Sequence, residues 1–159
     1  MMKIGRRIYF DLDTGNVIKS IGERVGSVVP TTIKQDIVTY TALSERNRDT
    51  FDYIELEYGQ YAQDFAECNG YRVNIEKLVE LSDDRKHEAL EFSYPDPNLP
   101  PDEQEPVYIP PLSETVSTLG QELAKVKIEN IQKDIITNSL GQEVTKLKLE
   151  IIQLKGGEI

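Results

Sequence analysis

Apolar residues recur every three or four positions through the last third of the chain. The segment 117–130 reappears as 138–151, and the offset of 21 residues equals three heptads. A repeat at a multiple of seven returns to the same side of a supercoiled helix, so one a/d register runs through both copies. The pattern predicts a long helix over residues 112–155 in a coiled coil or helix bundle. Its oligomer interface, called the seam below, is predicted at nine aliphatic a and d positions: Val116, Leu119, Leu123, Val126, Leu140, Val144, Leu147, Ile151 and Leu154.

Three features of this segment leave alternatives open. Polar residues occupy the a and d positions in its middle, at Asn130, Lys133 and Thr137. Asn130 and Lys133 either fix the register and the number of copies or mark a loosened middle. Gly141 either packs closely at an e position or ends one helix and opens a hairpin around 138–141. A second apolar stripe lies off the seam, which suits a bundle or a docked partner better than a bare dimer. The stripe consists of Ile128, Ile131, Ile135, Leu149 and Ile152.

Residues 1–94 carry shorter patterns that predict a small, mostly antiparallel α+β domain. Residues 3–18 alternate apolar and polar side chains around a Thr-Gly-Asn turn at 14–16, which predicts a β-hairpin. Two threonines at 31–32 precede apolar residues at three-to-four spacing. They predict a capped helix over about 33–48.

The second half of this domain predicts mostly strands. Residues 51–58 form one candidate, and 60–67 is either a short helix or an irregular segment. An Asn-Gly turn precedes a strand at 71–75. Residues 78–81 and 89–94 are predicted to pair around a charged loop. The tyrosines of the domain are expected mainly in its core.

The segment 95–111 changes composition abruptly. It holds seven of the eight prolines together with several acidic residues. Proline lacks a backbone donor and fixes φ, so this density predicts a semi-rigid, extended linker. The predicted organisation is therefore an α+β head at 1–94, a linker at 95–111, a helix at 112–155 and a short tail at 156–159.

The acidic composition narrows the function classes. The chain of 159 residues has a net charge of -10, and residues 1–111 hold 21 Asp and Glu against 12 Lys and Arg. Such a domain is a poor match for a nucleic-acid backbone. The single Cys68 excludes an internal disulfide. No apolar run is long enough for a membrane span, and the first residues lack the apolar core of a signal peptide, so a soluble protein made in a cytoplasm is expected.

One short string is typical of an enzyme. Residues 8–14 resemble the first motif of the haloacid-dehalogenase phosphotransferases, in which one Asp attacks phosphorus and a second acts as acid and base beside Mg²⁺. Asp11 and Asp13 occupy those positions, so the resemblance implies a magnesium-dependent phosphatase as a remote alternative. The sequence after Asp13 is nevertheless that of a hairpin return, and His87 has no second histidine beside it. We therefore expect no catalysis, cofactor or metal.

Other stretches resemble small late-region proteins of tailed bacteriophages and prophages of Gram-positive bacteria. These stretches are residues 2–9, 57–74 and 91–98. The repeat of the last third and the closing residues 154–157 are similar to the C-terminal tails of such proteins, including the XkdW-like group. The resemblance covers most of the chain, and 57–74 is its most specific part.

This resemblance implies a structural or accessory protein of the phage tail or baseplate, located in the virion. The expected partners are further copies of the chain, with a trimer favoured, and tail-fibre or baseplate proteins. Nucleic acid and membranes are not expected partners. The alternative is a tail-fibre assembly chaperone that is absent from the mature virion.

Overall fold

The computed structural model describes residues 1–157 and confirms the α+β class, with antiparallel sheets and a long C-terminal helix. The chain divides into two units, a head at Met1–Thr115 and a helical unit that begins at Val116. The strands are β1 (Met2–Ile4), β2 (Arg7–Asp11), β3 (Val17–Ile21), β4 (Arg24–Gly26), β5 (Phe51–Glu55), β6 (Gly70–Val73), β7 (Leu90–Ser93) and β8 (Tyr108–Ile109). The α-helices are α1 (Ile33–Thr39), α2 (Thr41–Ser44), α3 (Ala62–Glu67), α4 (Ile75–Glu80) and α5 (Leu112–Gly156).

The strand pairings among the described residues are antiparallel. β2 lies between β3 and β5, β7 lies between β6 and β8, and β1 pairs with β4. The predicted hairpin is formed by β2 and β3, and its turn holds Gly15 at φ 74°. A Cβ on Gly15 would lie 1.9 Å from the carbonyl oxygen of Val73. Both the backbone conformation and this close approach therefore require glycine.

The core of the head consists of two hydrophobic clusters on opposite faces of β2. Successive side chains of a strand point to opposite faces, so Ile8 and Phe10 join the larger cluster while Tyr9 joins the smaller. Ile54 and Phe92 extend the larger cluster across both three-stranded sheets. The expectation that tyrosines serve the core is confirmed for three that pack against this cluster: Tyr61, Tyr71 and Tyr94.

The predicted helix after residue 32 begins as expected but ends early. The Thr32 hydroxyl accepts a hydrogen bond from the Gln35 N–H at 3.2 Å, and the Gln35 side chain accepts one from the Thr32 N–H at 2.8 Å. This is a capping box, which satisfies two donors that a helix start leaves free. Tyr40, with ψ 114°, then interrupts the helical path, so two short helices replace the continuous helix predicted over 33–48.

The predicted hairpin between residues 78–81 and 89–94 is wrong. The side chain of Asn74 accepts a hydrogen bond at 3.1 Å from the N–H three residues later and caps α4. Ile75 and Leu78, three residues apart, both pack against the larger cluster. β7 pairs with β6 and β8 instead. The cap therefore starts a helix that buries the apolar side chains expected in a strand.

The proline-rich segment 95–111 differs from the extended linker that its composition predicts. Its end returns to the head, where β8 pairs with β7 as a two-residue edge strand. The Gln104 side-chain amide donates to the carbonyl oxygen of Asp96 at 2.8 Å and so holds the intervening loop. Prolines are tolerated because they lie outside the short ladder. The head thus continues past the predicted boundary at residue 94 as far as Thr115.

The predicted long helix is confirmed as α5, a continuous helix of 45 residues. Its length is about 68 Å at 1.5 Å per residue. The alternative hairpin around 138–141 is not formed, since this segment lies inside the helix. The predicted tail at 156–159 begins with the last helical residue, Gly156, and residues 158 and 159 lie outside the described part. Among the described helices, none has the combination of length and apolarity that crossing a membrane requires.

Candidate interaction surfaces

The nine seam residues all lie on α5, and all are exposed in the single chain. Their exposed fractions run from 49% at Val126 to 75% at Leu154, whereas the core residue Phe92 is 0% exposed. α5 as described buries none of its own residues. A large row of exposed aliphatic side chains on a folded chain marks an interaction site. The seam is therefore the leading candidate for a protein–protein interface.

The second apolar stripe is exposed as well. Its five residues occupy b and f positions, which point away from an a/d interface. A partner helix that covers the seam therefore leaves most of the second stripe in solvent. α5 consequently presents two apolar surfaces that suit two different neighbours.

A buried carboxylate fixes the first turn of α5, which belongs to the head. Asp64 is 2% exposed. It accepts hydrogen bonds from the Ser113 hydroxyl, from the Ser113 N–H at 3.2 Å and from the Tyr94 hydroxyl at 2.6 Å. Burial opposes its charged form, but these hydrogen bonds prevail and hold the pKa of Asp64 below its usual range. Burial and the Asp64 carboxylate in turn raise the pKa of Tyr94 to about 12.

The sequence did not predict this hydrogen-bonded group, which consists of Asp64, Tyr94 and Ser113, because these residues lie far apart along the chain. Asp64 and Ser113 are separated by 49 residues, and no local pattern links them. The signal that could have found it is Ser113 at the start of a helix, where the backbone N–H groups have no intrahelical partner. A carboxylate from elsewhere in the head satisfies one of them.

A second buried carboxylate, Asp36, lies against Tyr9 of the smaller cluster. It accepts a hydrogen bond from the Tyr9 hydroxyl at 2.7 Å and forms an ion pair with Arg7. Arg7 also donates from Nε to Glu55 at 2.8 Å. Burial opposes the charge of Asp36, yet its hydrogen bonds from Thr31, Tyr9 and Arg7 hold its pKa below the usual range. The partners of this carboxylate all come from the head, so the network is structural.

Asp11 and Asp13 lie at the turn of the β2–β3 hairpin and not before a helix. One oxygen of Asp11 accepts hydrogen bonds from the N–H groups of Asp13 at 2.9 Å and Thr14 at 3.0 Å, and the other pairs with Arg46 at 3.0 Å. These bonds, with that from Thr14 foremost, hold the pKa of Asp11 below its usual value. Asp11 therefore shapes an Asx turn. Within residues 1–157, no group of three or more His, Cys, Asp or Glu is placed to hold a metal ion.

His87 and Cys68, the remaining candidates for reactive side chains, both contact neighbouring groups of the head. The ring of His87 lies beside that of Tyr61, with centroids 6.4 Å apart. The thiol of Cys68 contacts the carbonyl oxygen of Phe65 at 3.6 Å, and burial raises the pKa of the thiol. A raised pKa lowers the thiolate fraction and hence the reactivity of a cysteine.

A cleft of about 290 Å³ on the head gathers positive charge. Its charged lining residues are Lys3, Arg6, Arg7, Arg24 and one acidic residue, Glu55, which pairs with Arg7. Because the basic residues outnumber the acidic one, we call it the basic cleft. The Nε atoms of Arg6 and Arg24 are buried and have no hydrogen-bond partner among the described residues. The Arg6 guanidinium stacks over the Phe65 ring at 4.1 Å, which limits its movement. Guanidinium groups form strong charge-assisted hydrogen bonds with carboxylates, so a carboxylate is the ligand that the arginines of this cleft would favour.

Comparison of the chain with protein-family models, with curated proteins and with solved structures gives no match.

Proposed function

We propose that the protein is a structural component of a phage tail or baseplate, located in the virion. It self-associates through the seam of α5 and contacts neighbouring proteins through its head. The observation that carries self-association is the exposure of nine aliphatic a and d residues on one 45-residue helix. The assignment to a tail or baseplate is supported by the resemblance of residues 2–9, 57–74 and 91–98 to small late-region phage proteins.

The magnitudes favour assembly of the seam. Full burial of an aliphatic side chain contributes about 1.5–3 kcal/mol. The seam side chains are about half exposed, so half of that value is available for each. Summed over two chains, this reaches or exceeds the roughly 4–15 kcal/mol that association costs in lost freedom of movement. An isolated helix has no comparable way to remove these side chains from water.

The proposal has a three-copy form and a two-copy form. A trimer is the form expected of a fibre-like component. In the second repeat, however, Val144 and Ile151 at a with Leu140 and Leu147 at d form the composition that favours two strands in parallel coiled coils. The number of copies in solution separates the two forms.

Light scattering and sedimentation equilibrium of the full chain, over a wide range of protein concentration, test self-association. We expect a mass two or three times the 18.1 kDa of one chain, with dissociation only on dilution. A monomer at every concentration would contradict the proposal.

The second apolar stripe favours one alternative function, a tail-fibre assembly chaperone. The stripe remains exposed when the seam is covered, as the surface of a transient helper must. Mass spectrometry of purified virions separates the two functions. Recovery at a fixed ratio to a known tail protein supports a virion component. Recovery from the lysate of infected cells but not from purified particles supports the chaperone.

The basic cleft is the contact that we propose for the head. The guanidinium groups of Arg6 and Arg24, which line this cleft, suit a carboxylate-bearing segment of a neighbouring tail protein. Arg24→Met retains an apolar stem and removes the charge. We expect virions produced with this variant to lack the protein. The oligomeric mass of the purified variant in solution should equal that of the wild type. Full incorporation of the variant would exclude the cleft as the docking contact.

A further inference from the structure

We propose that copies of α5 pair in parallel and in register, so that each seam is covered by the same segment of a second copy. This inference rests on the proposed self-association and goes beyond it by fixing direction and alignment. The apolar seam alone does not choose a direction. The e and g positions do, because they flank the seam and face the neighbouring helix.

Eight charged side chains occupy the g and e positions of α5, and all eight are exposed. The two edges of the seam differ in the sign of their charge. The charged g positions are all glutamate: Glu122, Glu129, Glu143 and Glu150. The charged e positions hold three lysines and one aspartate: Lys127, Asp134, Lys148 and Lys155. One edge of the seam is therefore acidic and the other is mainly basic.

A parallel, in-register pair brings opposite charges together. In that geometry a g residue faces the e residue five positions later on the partner. One of the four charged pairs places Glu129 against Asp134, a like-charged contact beside the polar a and d residues Asn130 and Lys133. The other three pairs are attractive: Glu122–Lys127, Glu143–Lys148 and Glu150–Lys155.

An antiparallel pair brings like charges together instead. In that geometry g residues face g residues and e residues face e residues. Glutamates would then line one edge against glutamates, and lysines would line most of the other edge against lysines. Like-charged contacts across an interface oppose association and opposite charges favour it, and salt screens both effects. The charges therefore select the parallel direction.

Asn130, at a polar a position between the two halves of the seam, fixes the alignment. The 21-residue repeat would allow the first copy to pair with the second, which would set Asn130 against Ile151 and Lys133 against Leu154. Such a slip leaves polar groups without partners in an aliphatic layer. In register, the two Asn130 side chains meet and can exchange amide hydrogen bonds. Thr137 is satisfied within its own helix, because its hydroxyl donates to the Lys133 carbonyl oxygen at 2.8 Å.

Disulfide exchange in the full chain tests direction and alignment. In a Cys68→Ala background, Leu119→Cys places a thiol near the start of the seam and Leu154→Cys places one near its end. We expect each variant alone to form a covalent dimer in a glutathione buffer. An equal mixture should form no 119–154 disulfide, and a mixture with Leu140→Cys should form no 119–140 disulfide. A dominant 119–154 product would overturn the parallel direction, and a dominant 119–140 product would overturn the register.

A single charge reversal gives an independent test. Asp134→Lys converts the one like-charged pair into a Glu–Lys pair on both sides of a parallel dimer, and no charged residue lies three or four positions away on the same helix. We expect association to tighten by roughly two- to fivefold for each ion pair gained. This gain should shrink at high salt, and Asp134→Gln should give an intermediate value. Weaker association of Asp134→Lys would indicate antiparallel pairing.

The outcomes separate this inference from the function on which it rests. A wild-type chain that is monomeric would contradict the proposed self-association. A wild-type chain that is oligomeric, with cysteine variants that form the 119–154 disulfide, would support self-association and contradict only the parallel arrangement.

Discussion

The head and the helical unit differ in the exposure of their large apolar side chains. In the head, Ile8, Phe10 and Phe92 are fully buried, and the buried carboxylates Asp36 and Asp64 have partners from the head itself. In the helical unit, every seam residue is exposed. The difference teaches that the head buries its apolar side chains within itself, whereas α5 leaves its own exposed and is completed by a neighbour only in the assembly that we propose.

Aromatic residues allow the two regions to be observed separately. All eight tyrosines and all four phenylalanines lie within residues 9–108. Near-ultraviolet circular dichroism and tyrosine fluorescence therefore report on the head. Far-ultraviolet ellipticity is dominated by the 45-residue α5.

The largest effect is expected from charges placed in the seam. Replacing Leu119, Leu140 and Leu147 together by Asp would bury carboxylates without partners at the interface. We expect complete loss of the oligomer at concentrations where the wild-type chain is assembled, with the near-ultraviolet spectrum of the head unchanged. Light scattering measures the first result and circular dichroism the second.

The control for this variant adds the same charge away from the seam. Asp at the c positions Gln132, Ser139 and Gln153 should leave the oligomer intact. A seam variant that retained the full oligomeric mass would remove the contrast between the two regions.

The next largest effect comes from one chemical change made in both regions. Leu90 is 0% exposed and Leu147 is 56% exposed. Leu90→Ala leaves a cavity and should lower the free energy of unfolding of the head by about 2–5 kcal/mol. Leu147→Ala should leave head unfolding unchanged and weaken only association. Urea titration followed by tyrosine fluorescence measures the head. Equal urea midpoints for the two variants would show that the head and α5 are not energetically distinct.

Acid should destabilise the head through its buried carboxylates. The pKa values of Asp36 and Asp64 are held below the usual value of about 3.9. The folded head therefore binds fewer protons than the unfolded chain, and the contribution of these groups is present above about pH 4 and lost as pH falls through the lower folded pKa values. We expect the urea midpoint of the head to fall over that range. Asp36→Asn should be less stable than wild type at pH 7, and the gap should narrow in acid. A constant gap would mean that Asp36 does not contribute as a carboxylate.

The smallest effect is expected from Gly141→Ala. A Cβ at this position meets no atom within 4 Å in the single chain. Alanine should stabilise the helix by up to about 1 kcal/mol and raise its far-ultraviolet ellipticity on heating. Association that weakened at the same time would show that the neighbouring helix approaches closely at this e position.

Local signals in the sequence were enough to predict the hairpin and the long helix. Gly15 supplies the turn conformation, Thr32 supplies a cap, and the heptad pattern of α5 runs through six heptads without proline. Each of these features depends on residues that are neighbours along the chain. Such features can be predicted before the fold is known.

Features that depend on distant residues were not predicted. β8 depends on the pairing of Tyr108 with Ser93. The attachment of the first turn of α5 depends on the hydrogen bond from Ser113 to Asp64. The composition around Tyr108 indicates only an extended chain, since prolines surround it. The error at α4 has a different cause, because a run with apolar residues at 75, 78 and 81 fits a short helix as well as an irregular strand.

The repeat in α5 also restricts how the length of this protein can change. One unit of 21 residues advances a helix by about 32 Å. Adding or deleting a whole unit returns each later side chain to its former lateral position in a 3.5-residue supercoil. A change of one residue more or less turns the remainder of the helix by roughly 100° and takes its apolar residues out of line. The length of α5 can therefore change without loss of the a/d alignment in steps of seven residues, and the 21-residue unit is three such steps.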